Sequence, residues 1–443
     1  MSSECAGRGG GRTLCPLPPR PSSHGRSRHK GIRLRHVFQP IVDLRSGGVV
    51  AYEALARFPD RGPEAVLREV ASLGDAALRT FDAASAASAV CAARAWLPPG
   101  ARLCLNLTHA SVAAAAAGSP LPDAGGFPVT WELSEDAATQ AALSSPGAWE
   151  ALRPLRARLA LDDVGGGWAD LDRLAAALRN GVRWVKVDRR VVHGAARDPA
   201  KRAVLRAVSG LGVLGFEVVA EGVEDLADLA VLAACGVRYA QGLAVGRPVS
   251  GPALGREPLR VYLAGPAGSG KSTVAALLAE RHGFARAALG DFPRAVAEAR
   301  GLRPARAVLQ ALGDEIRGPD PARLARLAMA HVAGAGRAVV DGVRLPEEAE
   351  ALRAAGFIGI RVEAPDEERR RRLRERGESW RRGERAHPTE AQAAAVPADL
   401  RLNASGDRQA LAAAVARLVT TLDAGGGHAR TWCAADPPPS SAS

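Results

Sequence analysis

Lysine and asparagine are almost missing from this chain of 443 residues. The only lysines are Lys30, Lys186, Lys201 and Lys271, and the only asparagines are Asn106, Asn180 and Asn403. Arginine therefore carries nearly all of the positive charge behind a formal net charge of +12. A lysine or asparagine retained against such a bias points to a place where its own shape and proton chemistry are needed. Close cysteine pairs are also lacking. Cys5, Cys15, Cys91, Cys104, Cys235 and Cys433 are scattered, which excludes a zinc cage and a disulfide framework. No apolar run is long enough to span a bilayer, and the basic N-terminus lacks the apolar core of a signal peptide. These absences predict a cytoplasmic protein without membrane contact. The basic stretch with Arg20, Arg26, Arg28, Lys30, Arg33 and Arg35 has no interleaved aromatic residues. That argues against a base-stacking platform and against a specific nucleic-acid partner; a solvated tail is the simpler reading.

What is present is a regular α/β alternation. Residues 1–33 are rich in Gly, Pro, Ser and Arg and are expected to be disordered. From His36, β-rich runs recur at 36–42, 49–56, 102–107, 128–133, 158–163, 183–188, 216–221 and 237–242. Ala/Leu/Arg segments of helical spacing lie between most of them, at 76–97, 136–153, 168–179, 198–211 and 224–235. This pattern predicts a TIM-like (β/α)8 barrel over 34–250, its first strand pair breaking the alternation and one strand running antiparallel. A Gly/Pro linker at 251–258 precedes a second α/β domain over 259–422. Its expected strands are 260–264, 337–341, 357–363 and 399–403; its helices are 271–282, 292–300, 303–317, 321–334, 346–355, 366–377 and 407–421. The tail 423–443 is expected to be frayed.

Polar residues sit at the ends of the predicted barrel strands: Glu53, Asn106, Glu132, Asp162 with Asp163, Lys186 with Asp188, Glu221 and Gln241. Barrels of this kind build their sites at the C-terminal ends of the strands. Each piece alone is weak, since Glu-Ala-Leu occurs in any helix and Asp-Asp is commonly a loop or cap. Together they bring several carboxylates, one amide and one ammonium to a single cleft. Unneutralised, such carboxylates repel one another, and hard divalent ions such as Mg²⁺ or Mn²⁺ relieve this. Two ions would suit hydrolysis of a phosphodiester.

The same stretch resembles the EAL family over its whole length. The resemblance is carried by Gln39-Pro40-Ile41-Val42, Tyr52-Glu53-Ala54-Leu55-Ala56-Arg57, Leu105-Asn106-Leu107-Thr108 and Trp131-Glu132-Leu133-Ser134-Glu135. It continues in Leu161-Asp162-Asp163-Val164-Gly165, Val185-Lys186-Val187-Asp188, Ala220-Glu221-Gly222-Val223-Glu224 and Gln241-Gly242. The resemblance implies cleavage of cyclic di-GMP to the linear dinucleotide with Mg²⁺ or Mn²⁺. It implies that Glu53, Asn106, Glu132 and Asp162 hold one ion and that Asp163 serves a second. Lys186 and Glu221 would orient or deprotonate the attacking water. Gln39 and Arg57 would contact base and phosphate, Glu224 and Gln241 would complete the pocket, and Glu135 would brace the Asp-Asp loop. The loop itself departs from the family's usual Phe-Gly-Thr-Gly, with a smaller anchor at Val164 and no hydroxyl at Gly166. In the family that loop positions the aspartates and pairs barrels, so a homodimer is an expectation weakened by this departure.

Gly265-Pro266-Ala267-Gly268-Ser269-Gly270-Lys271-Ser272 follows an apolar strand and opens a helix, as a phosphate-binding P-loop must. Its backbone N–H groups would wrap phosphate at the positive end of the helix dipole, Lys271 would reach the β and γ phosphates, and Ser272, beside Thr273, would hold Mg²⁺. Asp341 ends a neighbouring strand as a carboxylate on the Mg²⁺ side. The Arg-dense segment Arg369–Arg376 reads first as a solvated helix face and second as a lid over transferring phosphates. The domain resembles small-molecule kinases of the nucleoside-monophosphate type, deoxynucleoside monophosphate kinases and dephospho-CoA kinase, through Leu309–Gly313, Asp341–Glu347, His387–Glu390 and Leu402–Gly406. That resemblance implies ATP with Mg²⁺ and a small nucleotide-like acceptor.

The expected protein is thus a P-loop NTPase three-layer α/β domain behind a cyclic di-GMP phosphodiesterase barrel. A rival reading makes the barrel a catalytically weak cyclic di-GMP receptor that regulates the kinase-like domain. A third, a metabolic kinase with an inert barrel, sits poorly with the intact ligand set.

Overall fold

The computed structural model describes residues 13–15, 32–134, 136–145, 147–165, 170–249, 259–375 and 395–423. The linker 251–258 and the tail 424–443 lie outside them, as does most of 1–31. Within the stretch expected to be disordered, Thr13–Cys15 forms a short strand, β1, antiparallel to Ile32–Leu34. By compactness the chain divides into two units. One comprises Met1–Val42, Val49–Glu224 and Cys235–Arg256; the other comprises Asp43–Gly48, Asp225–Ala234 and Glu257–Ser443.

The first unit is a closed ring of eight strands: β2 (Ile32–Asp43), β3 (Val49–Arg57), β4 (Leu103–Leu107), β5 (Val129–Leu133), β6 (Leu159–Val164), β7 (Trp184–Val187), β8 (Glu217–Ala220) and β9 (Tyr239–Gln241). They neighbour one another in chain order, and β9 closes on β2. β2 and β3 pair antiparallel, with Gln39 opposite Glu53, and the pairs from β3–β4 to β8–β9 are parallel. The antiparallel start follows from the tight turn Asp43–Gly48, where Gly47 takes φ 73°. Helices Pro63–Ala71 and His109–Ala116 were not expected. The first is short and carries only Val66 and Val70 to the core, and the second is mostly alanine and has no apolar period.

The side-chain period of two along these strands sets the site. Ile41, Ala51, Cys104, Ala160, Trp184, Val219 and Tyr239 pack together as an apolar floor. Two residues further along each parallel strand comes a polar group: Ala51 is followed by Glu53, Cys104 by Asn106, Ala160 by Asp162, Trp184 by Lys186, Val219 by Glu221 and Tyr239 by Gln241. On antiparallel β2 the order reverses, Gln39 preceding Ile41. Trp184 and Tyr239 stack with centroids 5.4 Å apart, and Arg102 and Arg238 cover their rings at 5.6 and 4.8 Å.

The second unit carries a five-stranded parallel sheet in the order β11-β12-β10-β13-β14: Ala285–Ala288, Arg337–Asp341, Leu259–Ala264, Ile358–Glu363 and Leu400–Asn403. Helices at Lys271–His282, Asp291–Ala299, Arg306–Arg317, Arg323–His331, Pro346–Ala354, Asp366–Glu375 and Arg408–Asp423 match the expected ones to within a few residues. Strand β11, Ala-Arg-Ala-Ala, was not expected because it holds no β-branched or aromatic residue; its place in the sheet decides its conformation. Among the described residues no helix is long and apolar enough to cross a membrane.

Candidate active site

Lys186 is the hub of the barrel site. Its Nζ lies 2.6 Å from Glu221, 2.9 Å from Glu132 and from Asp162, and 3.4 Å from Glu53, while the residue is 1 % exposed. Each partner comes from a different strand, so the ammonium ties β3, β5, β6, β7 and β8 at one point. Burial alone would drive an ammonium toward its neutral form; the surrounding carboxylates override this and hold its pKa well above the usual lysine value.

Glu53 receives the densest support. Asn106 Nδ2 donates to Oε1 at 3.1 Å, and Gln241 Nε2 donates to Oε2 at 2.6 Å. Burial raises its pKa, but Lys186 and these bonds outweigh burial, so the carboxyl stays below its ordinary value. Glu132, fully buried, has no such donors. Burial and the neighbouring Glu53 push it well above the carboxylate range. Glu221 is pushed up to about 8, first by burial and then, against the pull of Lys186, by Asp162 and Glu53.

The donor set fits divalent cations. The ion pairs with Lys186 aside, both oxygens of Glu132 and Oδ1 of Asp162 are buried without a hydrogen-bond partner among the described residues. Several carboxylates face one ammonium, an imbalance that hard cations would correct. Asp162, Asp163 and Glu221 bring ligand oxygens within 4.8 Å of one another. Asp163 also has φ 54°, the only positive value on a non-glycine residue among those described, so backbone strain is stored beside the cleft.

A cleft of about 370 Å³ opens over this cluster. Of the residues named from sequence, Gln39, Glu53, Asp162, Asp163, Lys186, Glu221, Glu224 and Gln241 line it, while Asn106 and Glu132 are not among its lining residues. Arg57 is not one of its lining residues: it ends β3, and its Nη1 donates to the Ala56 carbonyl at 2.9 Å. Gln241, besides lining the cleft, anchors Glu53 and donates to Gln39 Oε1 at 3.4 Å. Glu135 lies outside the described residues. Asp188, placed at a strand end by the sequence, lines the cleft, and so do Arg189 and Leu243, which the sequence reading did not single out. Asp188 accepts from the backbone N–H and the guanidinium of Arg190, which holds its carboxyl down against burial. Asp82 was also missed. Buried on helix Asp75–Trp96, it accepts from Thr108 N at 3.1 Å and Thr108 Oγ1 at 2.7 Å, fixing the chain two residues beyond Asn106. A lone Asp inside an alanine-rich helix gives only a faint signal in sequence.

In the second unit, Gly265, Gly268 and Gly270 take φ 138°, 74° and 101°, and the turn opens helix Lys271–His282. A Cβ on Gly265 would lie 2.3 Å from the Val362 carbonyl, so only glycine fits there. Lys271 Nζ donates to the carbonyls of Gly265 and Pro266 at 2.7 and 2.8 Å, while Ser269 is buried and Ser272 is exposed, next to half-buried Thr273. Asp341 is buried at the end of β12, with Arg286 3.6 Å from Oδ2. The Arg-dense helix is not merely a solvated face. Arg369 Nε donates to the Ala267 carbonyl of the P-loop at 2.9 Å, and Arg372 Nη2 donates to Ala404 and Gly406 at 2.8 and 3.4 Å. Residues 387–390 lie outside the described residues.

Comparison with known proteins agrees with both units. The EAL domain family matches residues 26–248, and an AAA domain family matches 261–392. The cyclic di-GMP phosphodiesterase PdeB of Shewanella oneidensis is 34 % identical over 121 residues, covering 27 % of this chain and 14 % of PdeB. A UPF0200 protein of Methanothrix thermoacetophila is 38 % identical over 120 residues, covering 27 % of this chain and 64 % of that protein. The uncharacterized protein y4lL of Sinorhizobium fredii is 27 % identical over 277 residues, and the chain spans only 32 % of its length. Among solved structures, BlrP1 of Klebsiella pneumoniae in complex with calcium and cyclic di-GMP aligns at 28 % identity over 49 % of this chain and 56 % of that one, with a TM-score of 0.42. With an eight-stranded ring carrying its motif residues at the strand ends, and a family match across 26–248, this chain belongs to the EAL domain family, joined to a P-loop, kinase-like domain.

Proposed function

We propose that the barrel hydrolyses cyclic di-GMP to the linear dinucleotide pGpG. The observation that carries this reading is the convergence of Glu53, Glu132, Asp162 and Glu221 on Lys186, with Asp163 beside them at the cleft. Glu53, Asn106, Glu132 and Asp162 would hold one Mg²⁺ or Mn²⁺, and Asp163 with its neighbour Asp162 a second. Such ions supply hydroxide near neutral pH and charge neutralisation at the phosphate. Water oxygen bonds to phosphorus as the bond to the ribose 3′ oxygen breaks, leaving a 5′-phosphate and a 3′-hydroxyl. Lys186, held protonated, orients and neutralises rather than acting as base; Glu221 is the better proton acceptor. Gln39, Arg57 and Glu224 are assigned to the base and phosphate groups. The second unit would bind MgATP through Gly265–Thr273 and Asp341 and phosphorylate a small nucleotide-like acceptor.

A receptor role remains the second reading, favoured by the loop that follows Asp163, where Val164 is a small anchor. Purified protein with Mg²⁺ or Mn²⁺ decides between them: turnover is expected, with Ca²⁺ inhibiting because it activates water poorly. Glu53→Gln should abolish turnover, and Lys186→Met should lower kcat about 100-fold or more while changing KM less. Tight binding without turnover in any metal establishes the receptor.

A further inference from the structure

Arg173 is a buried arginine that neither the barrel motif nor the cleft lining includes. It sits on helix Asp170–Arg179 and is 8 % exposed. Its Nη2 lies 3.2 Å from the Ser134 carbonyl, 3.3 Å from that of Leu133 and 3.5 Å from that of Asp162. The first two carbonyls directly follow Glu132 on β5; the third belongs to Asp162 itself on β6. These strands pair through Trp131–Leu133 and Leu159–Leu161, so Glu132 lies inside the ladder opposite Ala160, while Asp162 lies one residue past its last pair. Beyond Leu161 the β6–β7 register also shifts. Asp162 must therefore keep a fixed relation to Glu132 just where the sheet's own ladder has ended.

We propose that Arg173 is a positioning residue for the metal site, clamping the ends of β5 and β6 so that Glu132 and Asp162 face a common ion. The inference rests on the metal-dependent reading above. A guanidinium suits the task because its donors lie in a fixed plane and it cannot lose its charge. Residues behind metal ligands that fix their geometry typically change metal affinity by about 10- to 100-fold when removed.

The test measures Mn²⁺ binding to the full chain without substrate, from the electron paramagnetic resonance signal of free Mn²⁺, alongside turnover. Arg173→Met keeps the buried length and removes every donor. Its Mn²⁺ dissociation constant is expected to rise about tenfold or more, with kcat recovering as Mn²⁺ is raised to saturation. Arg173→Lys restores charge and donors and is expected to recover most of the affinity. A Met variant that melts earlier yet binds Mn²⁺ like the parent protein overturns the proposal, since Arg173 would then only support the fold. Should the Met variant fail to fold, Arg173→Gln decides in the same way, because its amide is too short to reach both strands. A parent protein that binds Mn²⁺ but never hydrolyses cyclic di-GMP sinks the phosphodiesterase reading and leaves this test intact.

Discussion

At the scale of single residues, the rarity of lysine and asparagine is informative. Of four lysines, one is the hub of the barrel cluster and another the P-loop lysine; of three asparagines, one braces Glu53. Arginine's planar fork could not place one nitrogen against four carboxylates as Lys186 does. His36 has a different consequence. It is buried on β2 with Nε2 3.2 Å from Ser85 Oγ, and burial, aided by Arg57, lowers its pKa to about 4. The folded state keeps this imidazole neutral while the unfolded chain takes up a proton near pH 6.5. Stability from His36 is therefore complete above about pH 6.5 and is lost as pH falls toward 4. Urea midpoints of the parent protein and of His36→Gln should diverge across that window, the parent losing more as pH falls. Parallel curves would show that His36 is not held neutral.

At the scale of elements, the period of two along the barrel strands was legible because each strand is short, apolar and ends in one polar group. The same period hid the floor, since nothing in sequence tells Cys104 or Ala160 from any other apolar strand residue until the ring closes. Strand β11 and helix His109–Ala116 were illegible for lack of pattern, being alanine with one and three other residues respectively. Asp82 and Arg173 were illegible because their partners, mostly backbone groups, lie 11 to 40 residues away in sequence. The floor has a testable weight. Trp184 is buried, stacked on Tyr239 and two residues before Lys186. Trp184→Ala should cost the barrel about 3–5 kcal/mol in urea unfolding and weaken metal binding by loosening the strand that carries Lys186. A small loss with unchanged metal affinity would show that the floor does not support the site.

At the scale of the whole molecule, an EAL barrel and a P-loop unit share one chain. The barrel draws its ligands from its own strand ends, and the P-loop draws its contacts from Gly265–Lys271, Asp341 and the helix bearing Arg369 and Arg372. Lys271→Ala in the full chain should weaken MgATP binding about 10- to 100-fold, the usual weight of one charge-assisted bond to phosphate. Calorimetry measures this. Cyclic di-GMP turnover by the same variant should equal that of the parent; a parallel fall would show that the second unit controls the first.

The bond from Gln241 to Glu53 joins residues 188 positions apart. It links the last strand of the ring to the second, across β2. An early fragment, or a chain paused before its final strand, thus holds every acidic motif yet leaves Glu53 without its strongest anchor. Such a chain would have the vocabulary of the site without its grammar. A complete cluster arrives only with the last residues of the ring, so a partly made or partly unravelled barrel would lack the turnover proposed for the whole one.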